Sequence, residues 1–141
     1  MTFKAFIDKY NNKFYDMNGY PKDNPFQCMD LMRAYLKEVL GYGFFELPTT
    51  NFAKNVYKQF QPSKKFTKVK NTPMGVPQQG DIIFWDGPVL GVTGIAGHVA
   101  IFWDGDVNSF VSFDQNWKTG TSCHLQRHGY RGVMGWLRPA K

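Results

Sequence analysis

The chain is poor in cysteine, in acid and in long apolar runs. Of its 141 residues only Cys28 and Cys123 are cysteines. Two thiols do not make a disulfide framework, although one bridge between them stays open. Asp and Glu number 11 against 17 Lys and Arg, which leaves a net charge of +6. No segment is long and apolar enough to span a membrane, so no membrane partner is expected. The start, Met1-Thr2-Phe3-Lys4-Ala5-Phe6-Ile7-Asp8, mixes charge into its apolar pattern and lacks a signal-peptide core. There is no internal repeat and no shift of composition. One domain over residues 1–141 is the expectation, long enough to bury a real core.

What is present is aromatic: 13 Phe, 7 Tyr and 4 Trp. Thr2 to about Phe14 reads as an amphipathic helix with Phe3, Phe6, Ile7, Tyr10 and Phe14 on one face. A second helix follows Asn24 and Pro25, a good cap type and a good first helical residue. In it Cys28, Leu31, Met32, Tyr35, Leu36 and Val39 recur at three- and four-residue steps, and Gly41 ends it. Thr49-Thr50-Asn51 caps a short third helix with Phe52, Val56, Tyr57 and Phe60 inward, ended by Pro62. From Gly80 the texture changes to short apolar runs bounded by turn residues. These are Gly80–Gly87, Gly97–Trp103, Phe110–Trp117 and segments near Ser122–Arg127 and Val133–Arg138, with Lys64–Lys70 as a further strand. Helices followed by an antiparallel sheet make an α+β domain.

Cys28 falls in the first turn of its helix. Unpaired N–H groups and the positive end of the helix dipole favour an anion there, which suits a nucleophilic thiolate. Against this stands the ordinary reading of a small buried apolar residue. Downstream motifs decide between the two. Gln27-Cys28-Met29-Asp30, then Gly80-Asp81-Ile82-Ile83-Phe84-Trp85, then Gly97-His98-Val99-Ala100-Ile101, then Asp114-Gln115-Asn116-Trp117, in that order, resemble the CHAP family. These are cysteine, histidine-dependent amidohydrolases/peptidases of papain-like fold, and the nearest likeness is to catalytic domains of phage endolysins. The resemblance runs from about Asp16 to Pro139 and implies N-terminal helices packed on a C-terminal antiparallel sheet. Endolysins commonly carry a separate wall-binding domain, and none is expected within these residues.

The resemblance implies Cys28 as nucleophile and His98 as general base, then general acid. Asp114 stands where such lysins often have Glu, and is read as the residue that orients the imidazole. Asn116, two residues on, is read as supporting the site, with the choice between the two open. Gln27 is a candidate oxyanion donor beside the Cys28 backbone N–H. Cys123-His124-Leu125-Gln126-Arg127-His128 invites a zinc reading but lacks four ligands at matched spacing. Its histidines are read as structural.

Asp16-Met17-Asn18-Gly19-Tyr20 resembles the opening of a calcium loop. The family resemblance implies calcium held by Asp16, Asn18, the Tyr20 carbonyl and Asp30, with Asn18 where the relatives have a second Asp. Tyr20, Phe26, Trp85 and Trp117 either line a substrate groove or pack the core. The expected activity is hydrolysis of an amide bond in bacterial peptidoglycan, either as endopeptidase or as N-acetylmuramoyl-L-alanine amidase. A non-catalytic wall-binding module of the same fold is the rival. The basic charge would suit an anionic wall. No RNP, helix-turn-helix or zinc-finger pattern supports a nucleic-acid partner. The expectation is a monomer made in the host cytoplasm, without a leader, that acts on the cell wall or is carried on the virion.

Overall fold

The computed structural model describes residues 1–16, 28–50, 52–87, 96–118 and 120–140. Three helices, α1 (Phe3–Tyr10), α2 (Cys28–Glu38) and α3 (Ala53–Gln59), precede or flank six strands. The strands are β1 (Phe66–Lys70), β2 (Ile82–Trp85), β3 (His98–Gly105), β4 (Phe110–Asp114), β5 (His124–His128) and β6 (Val133–Pro139). They form one sheet in the order β1-β6-β2-β3-β4-β5, and every pairing is antiparallel. The fold is α+β, as the pattern of periodicities predicts.

Alternation along the strands splits the sheet into two faces. One face, with Ile82, Phe84, Val99, Ile101, Phe113 and Leu137, packs against the helices. There it meets Phe6 of α1 and Leu31, Met32, Tyr35 and Leu36 of α2, all at 2 % exposure or less. Each such side chain contributes roughly 1.5–3 kcal/mol through burial. The other face gathers Ile83, Trp85, Ala100, Phe102, Phe110, Val133 and Trp136, with Trp117 and Tyr130 against them. His98 and Asp114 begin and end strands that border this second cluster.

Polar bonds fix the helices at both ends of the core. Glu38 of α2 accepts from Lys9 and from the Tyr10 hydroxyl of α1. Tyr35 donates to the Gly80 carbonyl at 2.9 Å, just before β2. Arg33 is buried and donates to the carbonyls of Phe44 and Pro48, which ties the irregular 44–48 segment to α2. The buried Asp81 carboxylate accepts from Arg138 Nε and Nη2 and from the Gln78 N–H.

Three boundaries differ from the sequence reading. α1 stops at Tyr10, not near Phe14. Asn11 turns extended and Asn12 has φ of 65°. The chain then pairs with residue 123: Asn12 donates to the Cys123 carbonyl and Cys123 to that of Lys13. Phe14 is therefore outside the helical stripe and 49 % exposed. α3 is preceded by Phe52 in the cap position, with no side-chain cap bond. β4 ends at Asp114 and not at Trp117, because Asn116 takes a left-handed conformation, φ 62°, and starts a turn. Among the described residues no helix is long and apolar enough to cross a membrane.

Candidate active site

Three elements converge on one buried polar series. α2 begins at Cys28, β3 begins at His98 and β4 ends at Asp114. Cys28 is 8 % exposed, His98 2 % and Asp114 fully buried. Cys28 acts on the His98 imidazole electrostatically, and this interaction favours the protonated ring. His98 Nε2 lies 2.7 Å from Asp114 Oδ2. An ionised carboxylate can only accept, so Nε2 carries a hydrogen and Nδ1 is left for the thiol. That tautomer leaves a lone pair free to take a proton from sulfur.

Gly97 brings His98 to this place. It adopts φ of 76°, and a Cβ there would overlap the Trp85 carbonyl oxygen. Only glycine lets the chain approach β2 so closely before turning into β3. His98 then sits across from Trp85 in the β2–β3 register, with ring centroids 5.1 Å apart. Trp117 closes the other side at 4.9 Å. Trp85 is wholly buried, so packing and not groove lining describes it.

Electrostatics favour charge separation along the series. Burial alone would lower the His98 pKa. The electrostatic influence of Cys28, then the hydrogen bond to Asp114, outweigh burial and raise it to about 9. Burial would likewise raise the Asp114 carboxyl. His128 first, then His98, reverse this by hydrogen bonding and charge, and hold it well below the usual carboxylate range. The two shifts make stability depend on pH in opposite directions. His98 binds its proton more tightly folded than unfolded. Its contribution is complete below pH 6.5, the ordinary value, and is lost as pH rises to about 9. The Asp114 contribution is present above its ordinary value of 3.8 and is lost as pH falls through the depressed one. Urea denaturation should therefore give an unfolding free energy that declines between pH 6.5 and 9, and a His98→Gln variant should flatten that decline.

The residues after Asp114 each have a distinct place. Gln115 is buried and brackets Tyr15, accepting from its N–H at 2.7 Å and donating to its carbonyl at 2.9 Å. It thereby anchors the chain just ahead of the segment that leads to Cys28. Asn116 Oδ1 accepts from the Gly120 N–H at 2.6 Å, and its own N–H reaches the Thr121 carbonyl. Trp117 meets the His98 and His128 imidazoles edge to face. Gln27 lies outside the described residues.

The second thiol is a different kind of group. Cys123 is fully buried and donates to Gln115 Oε1 at 3.3 Å. Burial pushes its pKa up to about 12, so it stays a thiol at neutral pH. Both cysteines are free.

Sequence reasoning missed His128. It faces the same carboxylate oxygen as His98, with Nε2 3.1 Å from Asp114 Oδ2. Strand register gives no hint of this, since it sets His128 opposite Phe110 and Asp114 opposite His124. The one available signal is the alternation His124, Gln126, His128, which puts all three on the face that carries Asp114.

Of the proposed calcium ligands, Asn18 and Tyr20 lie outside the described residues. Asp16 and Asp30 both act on the Tyr15 hydroxyl, whose pKa is raised by burial first and then by Glu38, Asp30 and Asp16. Two carboxylates supply part of the six to eight oxygens that calcium takes. Among the described residues no three His, Cys, Asp or Glu side chains are grouped to hold a metal ion.

Comparison with known proteins bears on the fold and the family. The endolysin LysIME-EF1 superposes with a TM-score of 0.73 at 23 % identity, covering 96 % of this chain and 62 % of that one. Ly7917, solved with the hydrolyzing product of MDP, gives 0.63 at 18 % identity and covers 96 % and 60 %. The chain thus spans about three-fifths of the length of these two proteins, and at such identities the likeness is one of fold. The family model described as CHAP domain matches residues 15–116, a span that contains Cys28, His98 and Asp114. The chain belongs to the CHAP domain family.

Proposed function

We propose that the chain is a peptidoglycan hydrolase that cleaves an amide bond through a Cys-His thiol mechanism. The observation that carries this reading is the buried grouping of Cys28, His98 and Asp114, in which Cys28 acts on the imidazole charge and Asp114 Oδ2 lies 2.7 Å from His98 Nε2, within a CHAP domain that folds like the endolysin LysIME-EF1. His98 Nδ1 takes the thiol proton and the Cys28 sulfur attacks the amide carbonyl carbon. The carbonyl oxygen becomes an oxyanion, held by the Cys28 backbone N–H and by Gln27. The imidazolium then gives its proton to the leaving nitrogen, the C–N bond breaks and a thioester remains. Water, deprotonated by the same imidazole, attacks the thioester; the thiolate leaves and a carboxylic acid is released. Asp114 holds the ring in the useful tautomer throughout. The amide lies either within the peptides of the wall or between muramic acid and L-alanine.

Calcium bound by Asp16, Asn18, Tyr20 and Asp30 belongs to the same proposal. It would brace the chain between α1 and Cys28 and takes no part in bond breaking. The chemistry of the donor set is right for it: hard oxygen ligands and no nitrogen or sulfur. Added calcium should raise the melting temperature, and a chelator should reverse this. An Asp16→Ala variant should not respond to either.

The function is tested by exposing purified Gram-positive walls to the protein before and after treatment with iodoacetamide. Untreated protein should reduce turbidity and alkylated protein should not. Adsorption of both without clearing would instead support a wall-binding module.

A further inference from the structure

The carboxylate of Asp114 is held from both ends. Ser112 Oγ donates to Oδ1 at 2.5 Å, and two imidazoles meet on Oδ2, His98 at 2.7 Å and His128 at 3.1 Å. His128 comes from β5, two strands away from His98, and is 5 % exposed. Its surroundings are aromatic. Ring centroids of Trp117, Trp85 and Phe110 stand 4.3, 4.8 and 5.3 Å away. Its other nitrogen, Nδ1, is buried and meets no hydrogen-bond partner among the described residues. In such a nest a phenyl ring would pack as well and would leave no polar atom unpaired. An imidazole is costly there unless Nε2 has a use. Its one described polar contact is the oxygen that orients His98.

We propose that His128 is a positioning residue of the thiol centre, acting through Asp114. Because an ionised carboxylate only accepts, Nε2 donates, and this bond fixes where Oδ2 points. Oδ2 in turn fixes the plane and tautomer of the His98 ring, and so the aim of Nδ1 at Cys28. Without His128, Oδ2 keeps only His98 as a described partner, and the carboxylate can rotate about its Ser112 bond. The proposal rests on the hydrolase reading of Cys28, His98 and Asp114.

His128→Phe removes the donor and keeps the ring. His128→Gln restores an N–H near the position of Nε2. On purified walls, His128→Phe should lower the maximal clearing rate by about 10- to 100-fold, as misaimed catalytic groups do. The wall concentration for half-maximal rate should stay within about twofold. His128→Gln should recover to within about fivefold of wild type. The rate of Cys28 alkylation by iodoacetamide should fall with the clearing rate in His128→Phe and recover in His128→Gln. Wild-type clearing and alkylation rates in His128→Phe would overturn the proposal. So would equal losses in the two variants, which would mark a packing role. Should His128→Phe fail to fold, a tenfold or greater loss in a folded His128→Gln would also overturn it. If the wild type clears no wall, the hydrolase reading fails on its own, and the alkylation rates still decide whether His128 aims the thiol centre.

Discussion

Cys28→Ala is expected to lower the wall-clearing rate by at least about 1,000-fold, since no other group can form the thioester. The fold should survive. Alanine is a good helix former, Cys28 retains slight exposure at the start of α2, and the sulfur is small. The change in unfolding free energy should stay within about 1 kcal/mol. Cys123→Ala should behave in the opposite way. That thiol is wholly enclosed, is bonded to Gln115 and is kept protonated by burial. Its loss should cost roughly 1–2 kcal/mol of stability through a small void and a lost bond, with activity within about twofold of wild type. Activity and urea denaturation measured on both variants separate a reactive thiol from a packed one.

Asp114→Ala is expected to damage activity and stability together. Three described donors converge on the carboxylate, from Ser112, His98 and His128, and all are buried. Alanine leaves them without an acceptor, at a cost of roughly 3–5 kcal/mol. It also frees the His98 ring to turn away from Cys28, and about a 100-fold loss of clearing rate should follow. Asp114→Asn keeps the shape and one carbonyl oxygen but loses the charge. It should recover part of the stability and less of the activity, because an amide does not hold an imidazolium as a carboxylate does. Circular dichroism melts and clearing rates across the three proteins test this ordering.

The centre was legible where chemistry and chain order coincide. A thiol in the first turns of a helix needs no tertiary information beyond the helix itself, and Cys28 is helical in α2; the expected cap, Asn24 and Pro25, lies outside the described residues. The glycine ahead of His98 and the apolar run after it signal a tight entry into a strand, and Gly97 makes that entry with a positive φ. Asp114 was harder. Strand alternation made it and Asn116 equivalent, and the end of β4 between them depends on a left-handed turn whose Asn116 caps Gly120. His128 was not legible. Its contact runs diagonally across the β4–β5 pair, and periodicity gives faces, not diagonals. The early end of α1 had the same cause, since pairing of Asn12 and Lys13 with Cys123 is a long-range event that overrides local helix preference.

Mass spectrometry of wall fragments tests the central claim most directly. Purified Gram-positive walls are incubated with wild type and with Cys28→Ala in water enriched in heavy oxygen, and the new ends are read. The account predicts that only the wild type releases fragments, each with a new amine and a new carboxyl group carrying one oxygen from solvent. Fragments cut at a glycosidic bond, or identical amide cleavage by Cys28→Ala, would contradict it.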